Sequence, residues 1–334
     1  MIHQQALAAK AIDMSHVMNV VVKIINSIRA KALQHRLFKS LLDELDSEYG
    51  DLILHADVRW LSRGKVLQRF LDLLPEIIIF LKSRGEEYDQ LSDDACLLDL
   101  GFLTDLTAKL NDLNRELQGK DRSIGDMISA VNAFKTKLDL WSSQIRRGRL
   151  NKHFTNLDKV FQNLKEKTAF HPKQFCAILC KLTSEFDRRF VEVQRMSQVA
   201  AFVSNPFLTT ECTDIEQLSD KLEDVFAVTS DIEMEITGLV HNSQLKGRAK
   251  DQDFWSSVCR EKYPLIVSCV LKLHAYFGST YLCEMAFSQM KIIKSKFRTR
   301  MTDAHLNDAL RLAISNYEPD FKMLANNVQS QQSH

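Results

Sequence analysis

The sequence predicts a mainly α-helical chain, and three observations carry that prediction. Gly and Pro are scarce, 10 and 5 in 334 residues, against average usage of about 7% and 5%. Both residues punctuate turns, so a chain poor in them favours long helices over a turn-rich β architecture. Apolar residues recur at helical spacing along most of the length. Strand-like patterning is confined to about 52–58, with a weaker candidate at 226–228. A lone strand is not stable by itself, so it implies either a helix or a sheet with further strands.

The elements follow in order. From about Gln5 to Tyr49, Met18, Val21, Val22, Ile25 and Ile28 form one helical stripe, and Phe38, Leu41, Leu42 and Leu45 a second. Gly50 is the expected C-cap. The run Leu52-Ile53-Leu54-His55-Ala56-Asp57-Val58 reads as a buried strand. Ser62 is the expected N-cap of a helix reaching about Lys82, with Pro75 kinking or breaking it. A helix from Cys96 to Leu117 carries Leu98, Leu100, Phe102, Leu103, Leu106, Leu110 and Leu113. Another, Ile124 to about Ile145, carries Met127, Ile128, Val131, Phe134, Leu138 and Trp141. Arg146-Arg147-Gly148-Arg149 marks a turn. Val160 to Leu164 and Pro172 to about Val199 read as helices, with Pro172 in the first turn. The span 200–214 loses the helical period and contains Asn205-Pro206, which makes it the expected domain boundary. Ile215 to Phe226 is amphipathic. Phe254 to Phe277 is apolar and interrupted by Pro264. Glu284 lies on the next helix. The last helix is capped by Thr302, carries Leu306, Leu310 and Ile314 on one face, and ends before Pro319. The polar tail from Asn326 is expected to be disordered.

Composition narrows the function classes. With 45% hydrophobic residues the chain can bury a sizeable core. The net charge is +1, so only local patches can argue for nucleic acid. The seven Cys are odd in number, sit mostly in apolar runs and show no paired metal spacing. They read as reduced intracellular thiols. The segment MIHQQALAAKA is not a secretory signal by pattern, and no run of 18 apolar residues is present to span a membrane.

Few constellations carry chemistry. Glu284 sits in Ser279-Thr280-Tyr281-Leu282-Cys283-Glu284-Met285-Ala286-Phe287-Ser288, followed by a basic segment with Lys291, Lys294, Lys296, Arg298 and Arg300. A carboxylate beside such a segment suits a metal site facing a polyanion, but one carboxylate cannot hold two divalent ions. The basic residues can contact phosphates; the plainer reading is a solvated helix face. Arg59, Arg63, Lys65 and Arg69 gather at a helix start, where Arg59 or Arg63 could meet phosphate, again against a surface-charge reading. Trp60 is expected to anchor the core. His171, Cys176 and Cys180 raise zinc, yet a fourth ligand is missing and Cys176 to Cys180 is apolar throughout, so a buried helix face is expected. Asp231, Glu233 and Glu235 alternate as on a strand or loop, and exposed acids are expected.

These segments resemble the hAT superfamily of DNA transposases. Glu284-Met285-Ala286-Phe287-Ser288 is similar to the Glu-x-x-Phe-Ser signature that carries the third acid of an RNase H-like triad. Asp57-Val58-Arg59-Trp60-Leu61-Ser62-Arg63-Gly64-Lys65-Val66-Leu67-Gln68-Arg69 resembles the Arg-Trp segment after a core strand. Residues 105–119 resemble the start of the inserted helical domain. Phe254-Trp255, Tyr263-Pro264-Leu265 and 279–288 resemble the C-terminal dimerisation region. The nearest likeness is to domesticated host proteins with a BED-type zinc finger, a SCAN domain or TFII-I-like repeats upstream. Their usual Cys-x-x-His is matched only at His3, and the first two catalytic acids would lie before residue 1.

The resemblance implies a remnant of an RNase H-like α/β core with a large all-helical insertion. The implied division is 1–61 partial core, 62–200 helical insertion, 201–253 linker and rest of the insertion, 254–318 dimerisation region, and 319–334 disordered tail. The implied function is non-catalytic: Glu284 is a relic, with no metal, cofactor, small-molecule substrate or membrane. The protein is expected to self-associate through Leu265, Phe277, Phe287, Leu306, Leu310 and Ile314. Residual DNA binding is expected at Arg59, Arg63, Lys291, Lys294, Lys296, Arg298 and Arg300. The expected location is the nucleus, with the cytoplasm as alternative. Two other readings stay open, a fragment of an active hAT transposase and a helical protein-interaction scaffold.

Overall fold

Helices supply nearly all the regular structure in the computed structural model of the chain, and among the described residues there is no strand. The described residues are 7–10, 12–53, 60–118, 124–164, 167–208, 212–229, 231–251, 253–275, 281–294, 301–315, 320 and 322–323, with backbone alone at 60–62, 192–193, 212–213 and 281–284. By contact the chain divides into two units, Met1–Gly278 and Ser279–His334.

The first unit opens with α1 (Ser15–Arg29) and α2 (Ala32–Glu44). The buried face of α1 is Val17, Val21, Ile24, Ile25 and Ile28. That face is rotated by about one position from the expected stripe, and Met18 and Val22 are only half-buried. The apolar arc here is wide, so spacing leaves the facing direction open by one residue. Helix α2 stops at Glu44, well before Gly50, and Asp46 takes the left-handed turn instead, with φ 50°. The strand expected at 52–58 is not formed at Leu52 and Ile53; 54–58 lie outside the described residues.

Helix α3 (Trp60–Asp72) begins two residues before Ser62, which lies inside the helix and is not its cap. Pro75 does break the chain: α4 (Leu74–Ser83) restarts there with Pro in its first turn, where the missing N–H is not needed. Next comes α5 (Asp94–Gln118), the central element of this half; it packs against α1, α3, α6 (Ile124–Arg146) and α7 (Thr155–Asn163). Its expected apolar positions are all buried, as are those of α6. Helix α7 starts earlier than the expected 160–164 and ends at Asn163. The helix expected over 172–199 is three pieces: α8 (Pro172–Arg189), α9 (Val191–Arg195) and α10 (Ser197–Ser204). One hydrophobic core joins residues from Ala8 to Phe190, on both sides of position 61.

Two contacts hold α5 to α7. At Gly101 the backbones approach so closely that an added Cβ would lie 3.0 Å from Leu157 Cα and 3.1 Å from Asn156 O. Asp105, one turn on, aims its carboxylate into the first turn of α7. Gly101→Ala is therefore expected to destabilise the chain by about 1–2 kcal/mol, although alanine favours helix. Gly247, where nothing lies within 4 Å of a Cβ, is the control. Urea unfolding followed by circular dichroism reads both, and equal stability of the two variants would contradict the close approach.

Residues 201–253, expected as linker and the rest of the insertion, pack into a second core together with 254–275. This core is formed by α10, α11 (Cys212–Phe226), α12 (Ile232–Val240) and α15 (Pro264–Ala275), with the short α13 (Ser243–Gly247) and α14 (Phe254–Ser257) between. The weaker strand candidate at 226–228 is the end of α11 followed by Ala227 at φ 52°, a left-handed turn. Trp255 Nε1 donates to Val203 O at 2.8 Å, and Tyr263 Oη donates to Gly238 O at 3.2 Å. The second unit contains α16 (Tyr281–Ile293) packed on α17 (Asp303–Ile314). Thr302 caps α17 as expected, its hydroxyl accepting from His305 N–H at 3.3 Å.

Candidate nucleic-acid and self-association surfaces

The C-terminal hairpin carries residues of both candidate sets. Lys291 and Lys294 are exposed at the end of α16, where cations complement the helix C-terminus. Lys294 Nζ lies 3.8 Å from Asp303 Oδ1, so part of its charge is answered within the hairpin. Lys296, Arg298 and Arg300 lie outside the described residues. So does the side chain of Glu284, whose backbone belongs to the first turn of α16.

The apolar candidates of this hairpin are not swallowed by it. Phe287 is 60% exposed and Ile314 39%, while Leu306 and Leu310 are half-buried. Sequence reasoning missed two more, Ile292 at 69% and Leu312 at 59% exposure. Nothing in the sequence separates them from apolar neighbours such as Ile293 and Leu310, which are half-buried. Leu265 is different: it packs, half-buried, against the second core of the first unit, as Ile266 and Val270 do in full. Phe277 lies outside the described residues.

At the other basic group, Arg59 is outside the described residues and Arg63 is half-buried. Arg69 is structural. Its guanidinium stacks over Tyr49 at 3.8 Å and donates to Asp51 O at 2.9 Å, pinning the chain beyond α2. The Asp51 carboxylate in turn pairs with His35 Nε2 at 2.9 Å. The side chain of Trp60 is not among those described.

The Cys176–Cys180 run expected as a buried helix face is buried at Cys176 but exposed at Cys180. Cys176 Sγ lies 3.3 Å from Ser142 O, and His171 precedes α8. Asp231, Glu233 and Glu235 stand at the start of α12, not on a strand or loop. Glu235 accepts from Leu265 and Ile266 N–H at 3.1 and 2.9 Å. It thereby caps α15, whose first residue, Pro264, has no N–H of its own to satisfy. Among the described residues no group of three His, Cys, Asp or Glu is placed to hold a metal ion. Burial pushes the Cys269 thiol up to about 11, which makes it an inert core residue.

The most deeply buried of the perturbed acids serves structure as well. Asp105 is 5% exposed, and burial raises its carboxyl above the ordinary 3.8, against the pull of its N–H donors and of Lys109. Lys109 is lowered by burial; its ammonium sits over the Trp141 and Phe154 rings at 4.8 and 5.0 Å. Sequence reasoning passes over Asp105 because nothing local distinguishes it from an exposed helix acid.

These features define a helical protein of two cores and a C-terminal hairpin, with apolar and basic groups presented outward. Residues 1–146 match the family described as FAM200-GTF2IRD2-like, the FAM200/GTF2IRD2 helical domain. The chain is 34% identical over 319 residues to general transcription factor II-I repeat domain-containing protein 2 of Bos taurus, covering 93% of this chain and 31% of that protein. It is 35% identical over 302 residues to the protein of the same name from Mus musculus, covering 88% and 30%. The chain thus spans about a third of the length of the curated relatives it matches. No solved structure matches it. Among the described residues no helix is long and apolar enough to cross a membrane.

Proposed function

We propose that the chain is a non-catalytic, transposase-derived protein of the nucleus that pairs with a second copy of itself through its C-terminal unit. The observation that carries this reading is the state of the hairpin: none of the described side chains of α16 or α17 is buried. Two helices of 13 and 12 residues are too small to enclose a core alone. Their apolar residues remain to be covered, and obligate interfaces are apolar. The hAT-like sequence of 279–288 supports a second copy as the cover. The hAT resemblance also supports the origin, with residues 1–61 as the end of an RNase H-like core and the helices after it as the insertion. The relatives, named for transcription-factor repeats, support the nucleus. Residual DNA affinity is assigned to Arg63, Lys291 and Lys294 with their basic neighbours.

Analytical ultracentrifugation tests the association directly. The purified chain is expected to sediment as a dimer or larger at tens of micromolar. A monomer would overturn the reading and favour the scaffold for other proteins. Catalysis is tested separately. The chain is expected to show no strand transfer or nuclease activity with Mg²⁺ or Mn²⁺. Metal-dependent cleavage that disappears in Glu284→Gln would restore the enzyme reading, because it would mean other carboxylates complete the site.

A further inference from the structure

The turn between α6 and α7 carries a concentration of charge within the first unit. Arg146, Arg147, Arg149 and Lys152 are all exposed within seven residues. Among the described residues, none of the four side chains lies in an ion pair or hydrogen bond, whereas Lys135 is paired with Asp187 on the same bundle. The ordinary explanation for arginines at a helix end is that they answer its last carbonyls. Here the backbone does that work. Gly148 N–H donates to Ile145 O at 3.0 Å and Arg149 N–H to Gln144 O at 2.9 Å, with Gly148 at φ 68°. That pair of bonds is a Schellman turn, and it leaves the guanidinium groups unspent. The turn is also rigid: Leu150 and Phe154, 2% and 1% exposed, anchor it to the core on either side of Lys152.

The surroundings add to the charge. His153 is held below its usual value by partial burial and by Lys109 and Lys152, so both ammonium groups act on the same spot. Helix α8 runs antiparallel to α6, with Cys176 Sγ 3.3 Å from Ser142 O, which brings exposed Lys173 to the same end of the bundle. Of the acids nearby, Asp105 is buried and occupied with α7, and Asp158 accepts from Gln162 at 3.5 Å.

We propose that this turn is a contact for the phosphate backbone of duplex DNA, independent of sequence. Guanidinium forks match phosphate oxygens bidentately. A protein partner would want an apolar or aromatic anchor at the centre of the patch. Single strands would want an aromatic stacking platform. Trp141 and Phe154 are buried, at 6% and 1% exposure, so neither is offered. The turn does offer fixed, unpaired, exposed cations, which suit the regular phosphates of a duplex. The turn belongs to the first unit and Lys291 and Lys294 to the second.

The test is binding of the full chain to a fluorescent DNA duplex of arbitrary sequence, about 25 base pairs long, titrated from roughly 50 to 200 mM salt, the range over which phosphate contacts weaken most visibly. The variant replaces Arg146, Arg147, Arg149 and Lys152 by Gln together, and its thermal melt is compared with wild type to confirm folding. The slope of log K against log salt is expected to fall by about 3 to 4, at roughly 0.9 for each phosphate no longer neutralised. Affinity at the lowest salt is expected to drop at least tenfold. A second variant, Lys291→Gln with Lys294→Gln, separates this site from the C-terminal affinity and is expected to change the slope by less than about 2. Wild-type chain that does not bind, or a quadruple variant that binds as wild type does, would overturn the proposal. Tighter binding of duplex RNA that depends equally on the four residues would overturn the choice of DNA.

Discussion

Asp105→Ala is expected to destabilise the first unit by about 3 kcal/mol. The carboxylate accepts from Asn156 N–H at 3.0 Å and Leu157 N–H at 3.0 Å through one oxygen, and from the Asn156 side-chain amide at 2.9 Å through the other. These donors belong to the first turn of α7, whose N–H groups have no helical partner. Truncation leaves them buried without an acceptor, at about 1–3 kcal/mol each, offset in part because a buried charge is removed. For a unit of this size the melting temperature should fall by about 6–10 °C. Asp105→Asn should recover only part of this: its Oδ1 can accept from the two backbone N–H groups, but its N–H₂ would then face the Asn156 side-chain donor. The pH dependence has a definite sign. The folded carboxyl titrates above 3.8, so the folded state binds the extra proton first. This group's contribution to stability is therefore greatest below that value and is lost as pH rises through the folded pKa. The stability difference between wild type and Asp105→Asn should accordingly grow as pH falls through that window. Urea midpoints at a series of pH values would show it. A loss under about 1 kcal/mol for the alanine variant would mean that α7 is held by packing alone.

Changing Leu306 and Leu310 together to Asp should dissociate the self-associated chain. Both residues are half-buried on α17, within a hairpin whose neighbouring Phe287, Ile292 and Leu312 are 60%, 69% and 59% exposed. Placing charge at the centre of an apolar contact costs about 2–5 kcal/mol. That converts to a weakening of roughly 30- to several thousand-fold in dissociation constant. Sedimentation at tens of micromolar should move from dimer to monomer while helical circular dichroism is retained. Loss of helicity together with dissociation would assign the two leucines to the fold of the hairpin; in that case Phe287→Asp, at a more exposed position, carries the test. An unchanged dimer in both variants would move the interface elsewhere.

How far the fold was legible depends on how local each determinant is. The helices α5 and α6 follow from periodicity, and the break at Pro75, the restart at Pro172 and the Thr302 cap follow from single residues acting on their own turn. The segment at 226–228 misleads because Phe-Ala-Val fits a strand by composition, whereas Ala227 turns the chain to let α12 fold back on α11. The acids at 231, 233 and 235 suggest alternation, but Glu235 sits on α12 and supplies the cap that α15 needs, 30 residues away. Much of the candidate surface was legible as a set of residues and illegible as a surface. Leu265 and Phe287 look alike in sequence, yet one lies against a core and the other faces outward. Arg69 and Arg149 look alike too, and only the first is engaged by an aromatic ring and a carbonyl.

The sequence by itself therefore determined that this protein is helical, where the helices at Pro75, Pro172 and Thr302 begin, and that its C-terminal part joins apolar to basic residues. Periodicity, proline and capping act within a turn or two, so neighbouring residues in the sequence carry them. Tertiary structure alone decided which face of α1 is buried, that Asp105 and Glu235 cap distant helices, and which cations stay unspent. Burial and hydrogen bonding are properties of neighbours, and here the neighbours are separated by 51 residues in one case and 30 in the other.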